Sequence, residues 1–298
     1  MVYGLLNPKD TAQYIRVSKV FLGEGNALVM AQTQDSIQFR PSDIEVRITR
    51  KLNGSEMSYW ILQADSSIPR DPGIFNNPFQ ILYRGSFPVL TDGSTYLLTV
   101  TDLHTGYQVT SETHIVKDVH QSSPTATQAV DLSSSSQVGF YFTTPPYAKS
   151  YHLMLRFYYD EQFIFDTTEV STHYVDWSIG DVLSSTAQGG EHLLISVRRD
   201  NFIRMLANNI EYNPMVRRIS KTFSCIYTVG SEDLDTYIRV QQANNSSSTD
   251  LPGFSNITNG IGLFSSRNLS TLPNYHIDQN TGYALVNDPL LSGLNFVR

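Results

Sequence analysis

The sequence predicts a mainly β protein. An N-terminal immunoglobulin-like or related β-sandwich is expected over residues 1–120. A second β-rich domain is expected over 121–298, with short helices near 200–209 and 231–243. Three observations predict this. The 298 residues suit two domains at roughly 150 each. Tyr (17) and Phe (15) are abundant, and aromatic and β-branched residues suit a pleated, half-buried surface. Short alternating runs recur between turn signals.

In the first half, Gln13–Phe21 alternates and is closed by Gly23-Glu24-Gly25-Asn26. Asp43–Arg50 sends Ile44, Val46 and Ile48 to one face and Glu45, Arg47 and Thr49 to the other, a strand with one wet side. Asn53-Gly54 tolerates positive φ at both positions and predicts a hairpin, with Met57–Leu62 returning. Phe79–Tyr83, Ser94–Thr101 and Tyr107–Val116 continue the series, with turns at Asp92-Gly93 and Thr105-Gly106. This spacing is that of a sandwich.

Lys117–Gln137 is polar, contains Pro124 and a serine run from Ser133, and predicts a connection with the domain boundary near residue 120. Beyond it, Val138–Thr143 stops at Pro145-Pro146. Ser150–Tyr159 and Gln162–Thr168 suggest a hairpin turning at Asp160-Glu161, and Tyr174–Ile179 and His192–Arg199 are further strands. Asp200 is placed to cap a helix over 201–208, with Phe202, Met205 and Leu206 on one face. Ser231 is placed to cap a second helix, opened by Glu232 and Asp233 and broken by the tract 244–250.

Charge bounds the function. Charged residues make up 16% of the chain, the net charge is −7, and no Lys/Arg run occurs. A phosphate-matching basic face is therefore not expected, which argues against nucleic acid and anionic membrane as partners. No segment approaches the roughly 20 apolar residues of a spanning helix. The single cysteine, Cys225, lies in an apolar run and reads as a buried thiol. Trp60 and Trp177 read as core.

No catalytic motif, cofactor site or metal site is predicted. His114 and His120 are spaced wrongly for two ligands on one strand face. Glu232, Asp233 and Asp235 read as helix-start charge rather than a calcium loop. Tyr141, Tyr147, Tyr158 and Tyr159 are the candidate ligand- or partner-binding residues, since alternation must half-expose some of these rings and aromatics serve interfaces.

One segment is more specific than composition. A strand from Phe223 leads into Ser231-Glu232-Asp233-Leu234-Asp235-Thr236-Tyr237-Ile238. Phe254-Ser255-Asn256-Ile257 and Asn259-Gly260-Ile261-Gly262-Leu263-Phe264 follow. This region resembles the close of a Bacteroidetes lipoprotein family, domain of unknown function 4249. Val2-Tyr3-Gly4-Leu5, Tyr14–Ser18 and Ser94–Val100 resemble its opening and central strands.

The resemblance implies an outer-membrane or cell-surface lipoprotein, encoded near TonB-dependent transport systems, with a transporter or other surface protein as partner. A glycan or peptide ligand is also compatible, and no catalytic residue carries over. The expected lipobox cysteine is missing near Met1, so the expectation is an exported chain whose leader and lipid anchor are absent from this sequence. The middle section matches no family feature. Gly260 and Gly262 share a face, which predicts a bulge or close packing against the helix from Ser231.

The leading functional expectation is a non-catalytic binding protein. An adhesin or structural surface protein is the first alternative. The second is a glycan-acting hydrolase using Asp160, Glu161 or Asp166 beside Tyr158 and Tyr159.

Overall fold

The computed structural model describes residues 1–19, 37–69, 80–87, 90–91, 93–246 and 253–297. The expectations for Val20, Phe21, the 23–26 turn, Phe79, Asp92 and residues 247–250 lie outside these. The described chain is mainly β.

Its strands in chain order begin with β1 (Val2–Leu6), β2 (Ala12–Val17), β3 (Ile44–Leu52), β4 (Ser55–Ile61), β5 (Gln63–Asp65) and β6 (Leu82–Ser86). Then come β7 (Thr95–Asp102), β8 (Gln108–His114), β9 (His120–Ser123), β10 (Ala129–Val130), β11 (Gln137–Thr143) and β12 (Ala148–Phe163). β13 (Val170–Leu183), β14 (His192–Arg198), β15 (Val216–Ser231), β16 (Gly262–Ile277) and β17 (Phe296–Val297) complete them. The helices are α1 (Asn201–Asn209), α2 (Glu232–Ser246) and α3 (Gln279–Asn287), with a 3₁₀ segment at Pro289–Leu294.

Two compact units emerge. The first comprises Met1–Lys117 and Gly230–Asn268, the second Asp118–Val229 and Leu269–Arg298. The division near residue 120 puts Gly230–Asn268 with the second domain, whereas its packing places it in the first unit. The physical reason is pairing: Gly262–Ser266 of β16 lies parallel to Val2–Leu6 of β1. A boundary drawn from composition cannot show a chain that returns.

In the first unit, β3 is central to the antiparallel sheet β4-β3-β7-β8, and a second sheet runs β16-β1-β2-β6-β5. Alternation works as expected. Ile44, Val46 and Ile48 meet Leu6, Ile15, Val17 and Phe264 in one buried core, with Tyr96 and Leu98. Trp60 is half-buried at its edge, its ring 4.7 Å from Phe87. Asn53 and Gly54 both take positive φ, 50° and 80°, closing the β3–β4 hairpin. Tyr3 meets Tyr237 of α2 edge-on at 6.1 Å.

Gly262, at φ 136°, lies where a Cβ would collide with the Val2 carbonyl oxygen. The close approach expected of the glycine pair is thus to the backbone of β1, while Gly260 packs beside Val109 and Ile257.

In the second unit, β13-β12-β15 forms one sheet and β14-β11-β9 another. Their inner rings interdigitate: Phe142 lies 5.2 Å from Tyr151 and 5.0 Å from Tyr227. Phe157 meets Phe202 of α1 at 5.1 Å, and Trp177 is buried against the same ring.

Three local expectations need correction, and one helix lies outside those expected. β12 runs straight through Asp160-Glu161 to Phe163, and the hairpin turns over 164–169 instead. Both carboxylates are tolerated within a strand because Lys221 and Arg218 on β15 neutralise them. The expected connection 117–137 contains β9 and β10, and Gln121 accepts a hydrogen bond from the Tyr227 hydroxyl at 2.6 Å. Asp200 stands at the start of α1 but makes no side-chain cap, since Arg198 holds its carboxylate through two bonds. α3 was not anticipated; Asp278 caps it by accepting from the Thr281 N–H at 2.8 Å.

Candidate functional site

The four candidate tyrosines do not converge. Tyr141, 50% exposed, points outward from β11 opposite Leu194. Tyr147 is 40% exposed at φ 65°, in the turn after the double proline. Tyr158 points outward from β12, while Tyr159 is only 6% exposed. Tyr159 packs between Phe157, His173 and Phe296, and burial raises its phenol pKa. It is a core residue, which withdraws it from the candidate ligand- or partner-binding residues. The cause is the parity of β12: Tyr151, Leu153, Leu155, Phe157 and Tyr159 all face inward. Tyr141 and Tyr158 lie on the outer faces of two different sheets.

The β12–β13 hairpin gathers more chemistry than any of these rings alone. On its outer face Tyr158 meets Tyr174 at 6.2 Å. Arg156 stacks over the Tyr174 ring at 4.1 Å and forks onto Asp176 with bonds of 2.7 and 2.8 Å. The Asp176 carboxylate raises the guanidinium pKa further. Asp160 accepts from Thr172 at 2.6 Å and pairs with Lys221.

On the inner side, Glu161 pairs with Arg218, whose side chain is almost wholly buried and also donates to the carbonyls of Leu294 and Glu211. His173 stacks on Tyr159 and receives Ser171 Oγ at 2.9 Å and Glu161 Oε2 at 3.6 Å, both on Nε2. A hydrolytic triad needs the acid on the other ring nitrogen, so this group clasps the hairpin and does not activate the serine. Asp166 is exposed and accepts from both the N–H and hydroxyl of Thr168, which lower its pKa. Each carboxylate considered for glycoside cleavage is therefore already engaged.

The hairpin tip is apolar. Phe163, Ile164 and Val170 are exposed and Phe165 is 85% exposed. Ile164 N–H bonds the Met215 carbonyl at 3.0 Å, fixing the tip against the entry to β15. Beneath it lies a cavity of about 580 Å³ lined by Glu161, Gln162, Phe163, Val170, Ser171 and Asn213. Sequence reasoning missed Phe163-Ile164-Phe165 because it placed the turn too early. The signal was present: three successive apolar residues beside Asp166-Thr167-Thr168, a turn sequence.

A second cavity of about 700 Å³ opens in the first unit among Val2, Val17, Ile44, Val100, Val109 and Ile261. Lys19 and Phe39 on its rim flank residues 20–36, outside the described set. Cys225 is fully buried and its thiol is pushed up to about 12 by burial. His114 and His120 fall in different units. Among the described residues no cluster of three His, Cys, Asp or Glu is placed to hold a metal.

Fold and site define a mainly β, sandwich-like protein of two units with an aromatic, ion-paired hairpin. No family model matches the chain. No curated protein matches it. It is similar over 63% of its length to the C-terminal globular domain of an oligosaccharyltransferase from Pyrococcus abyssi, at 10% identity and TM-score 0.29, spanning 38% of that chain. It is similar over 74% of its length to a β-glucuronidase from Bacteroides uniformis, at 10% identity and TM-score 0.12, spanning 24% of that chain. Likenesses this slight carry no argument about activity.

Proposed function

We propose that this chain is a non-catalytic binding protein of the cell surface, exported and lipid-anchored in its full-length form, that engages a protein partner through the β12–β13 hairpin. The partner class proposed is a TonB-dependent outer-membrane transporter. The observation that carries the binding reading is the exposed run Phe163-Ile164-Phe165 on a hairpin braced by ion pairs. An apolar tip on a braced strand pair suits an interface anchor, because the backbone beneath it has little freedom left to lose on docking. The export and transporter components rest on the family resemblance.

The test is co-purification from native outer membranes with the wild-type chain and with Phe163→Ser and Phe165→Ser. Retention of a transporter subunit by the wild type and its loss with either variant, at unchanged melting temperature, supports the reading. Equal recovery with all three chains, or none with the wild type, defeats it.

A further inference from the structure

We propose that the outer edge of β13 accepts an extended, alternately apolar and basic strand from a protein partner. This rests on the reading that the hairpin is a binding surface and names the kind of segment it binds.

β13 is the terminal strand of its sheet, and among the described residues it pairs only with β12. A terminal strand leaves a row of backbone N–H and C=O groups without strand partners, and proteins usually blunt such edges with lysine, proline or bulges. β13 carries neither lysine nor proline across its length. Its single irregularity comes late, where the register shifts opposite Leu153/Met154 and Gly180 takes φ 155°. Val170–Ser178 is thus a regular, accessible edge of roughly 30 Å, enough to template a partner strand. By contrast, the edge strand β8 in the first unit is bridged at Thr110 by Thr258.

Charge selects the occupant. Between Arg156 and Arg198 the chain contains no lysine or arginine, while Asp160, Glu161, Asp166, Glu169, Asp176, Asp181 and Glu191 all fall there. Lys221, Arg218 and Arg156 answer three of these from outside that segment, and His152 bonds a fourth, Asp181, at 2.7 Å. Asp166 and Glu169 stay exposed at the tip, beside Phe163, Phe165 and Val170. A strand alternating apolar and basic side chains would meet both features, with backbone bonds giving affinity and charge giving selection.

The probe is a fluorescent eight-residue peptide alternating valine and lysine, titrated against the whole chain by anisotropy. Two controls are a valine–glutamate peptide and the valine–lysine peptide N-methylated at alternate residues. The expected result is binding of the first peptide with amide-exchange protection confined to 170–178. Either control, or Thr172→Lys in the protein at unchanged melting temperature, should weaken it by about tenfold or more.

No binding, indifference to N-methylation, or protection on another strand overturns strand addition. These results leave the transporter test untouched, since that test reads Phe163 and Phe165 side chains. Conversely, peptide binding with the expected protection upholds strand addition even where no transporter co-purifies.

Discussion

The Asn256 side chain bonds both backbone groups of Phe264, accepting its N–H at 2.9 Å and donating to its carbonyl at 2.8 Å. The amide acts as a one-residue strand partner for β16. The same nitrogen donates to Asp233 of α2 at 2.8 Å, and Ser111 of β8 donates to the Asn256 carbonyl at 2.8 Å. Three of the segments that carried the family resemblance, 231–238, 254–257 and 259–264, therefore meet around one amide, and their role at this point is to close the first unit.

Asn256→Ala should destabilise the fold by about 2–4 kcal/mol, because three bonds vanish and the part-buried Phe264 backbone groups lose their partner. Asn256→Asp should be at least as damaging. It replaces the donor with an anion facing the Asp233 carboxylate and the Phe264 carbonyl. Urea unfolding at pH 7 measures both. A loss below about 0.5 kcal/mol for Asn256→Ala would mean these bonds are exchanged freely for water.

Alternation made part of this fold legible and long-range partners concealed the rest. Ile44, Val46 and Ile48 could be assigned to a core because period two fixes a face without knowledge of the partner strand. Asp160-Glu161 reads as a turn in the sequence because its neutralising cations, Lys221 and Arg218, lie far along the chain. Gln121 looked like linker for the same reason: its acceptor is filled by Tyr227 and its amide donates to Tyr275 at 3.0 Å. Among the candidate tyrosines, alternation alone sets Tyr158 opposite Phe157 and Tyr159 across β12. Which face looks inward was not decidable from β12 alone, since aromatics occupy both.

Arg218 should be more costly to remove than its partner Glu161. Arg218→Ala leaves Glu161 only the His173 contact at 3.6 Å and the Leu294 and Glu211 carbonyls without this donor, a loss of about 3–5 kcal/mol. Glu161→Gln keeps an acceptor for the guanidinium, which retains both carbonyls, so its cost should be clearly smaller. Chemical denaturation of the two variants checks the order. The reverse order would show that the carbonyl bonds contribute little.

Stability should fall as pH rises from about 9 towards 12. Burial pushes the phenols of Tyr83, Tyr151 and Tyr275 up to about 12 from an ordinary 10.0, and Cys225 up to about 12 from 9.0. Tyr227 moves in the same direction. In that window the unfolded chain has released protons that the native chain still binds, so the free energy of unfolding falls with each increment of pH. Below pH 9 this contribution is fully present. Urea midpoints at pH 8, 10 and 11, with phenolate absorbance followed in parallel, provide the measurement. A midpoint unchanged up to pH 11 would show that these groups ionise alike in both states.

Tyr158 and Tyr159 are neighbours whose substitutions should differ sharply. Tyr159→Ala removes a buried ring from between Phe157, His173 and Phe296 and withdraws the surface over which Arg218 lies. The transfer and cavity costs together are about 3–5 kcal/mol. Tyr158→Ala removes an outward ring that meets Tyr174 edge-on, so its cost should be about 1 kcal/mol or less. Phe165→Ala, at the exposed tip, should be neutral within about 0.5 kcal/mol. Shifts in urea midpoint at constant m-value test all three. Should Tyr158 be the more costly of the two tyrosines, the inward face of β12 would be the opposite one. Phe157, which shares its parity with Tyr159, would then have to tolerate truncation as well.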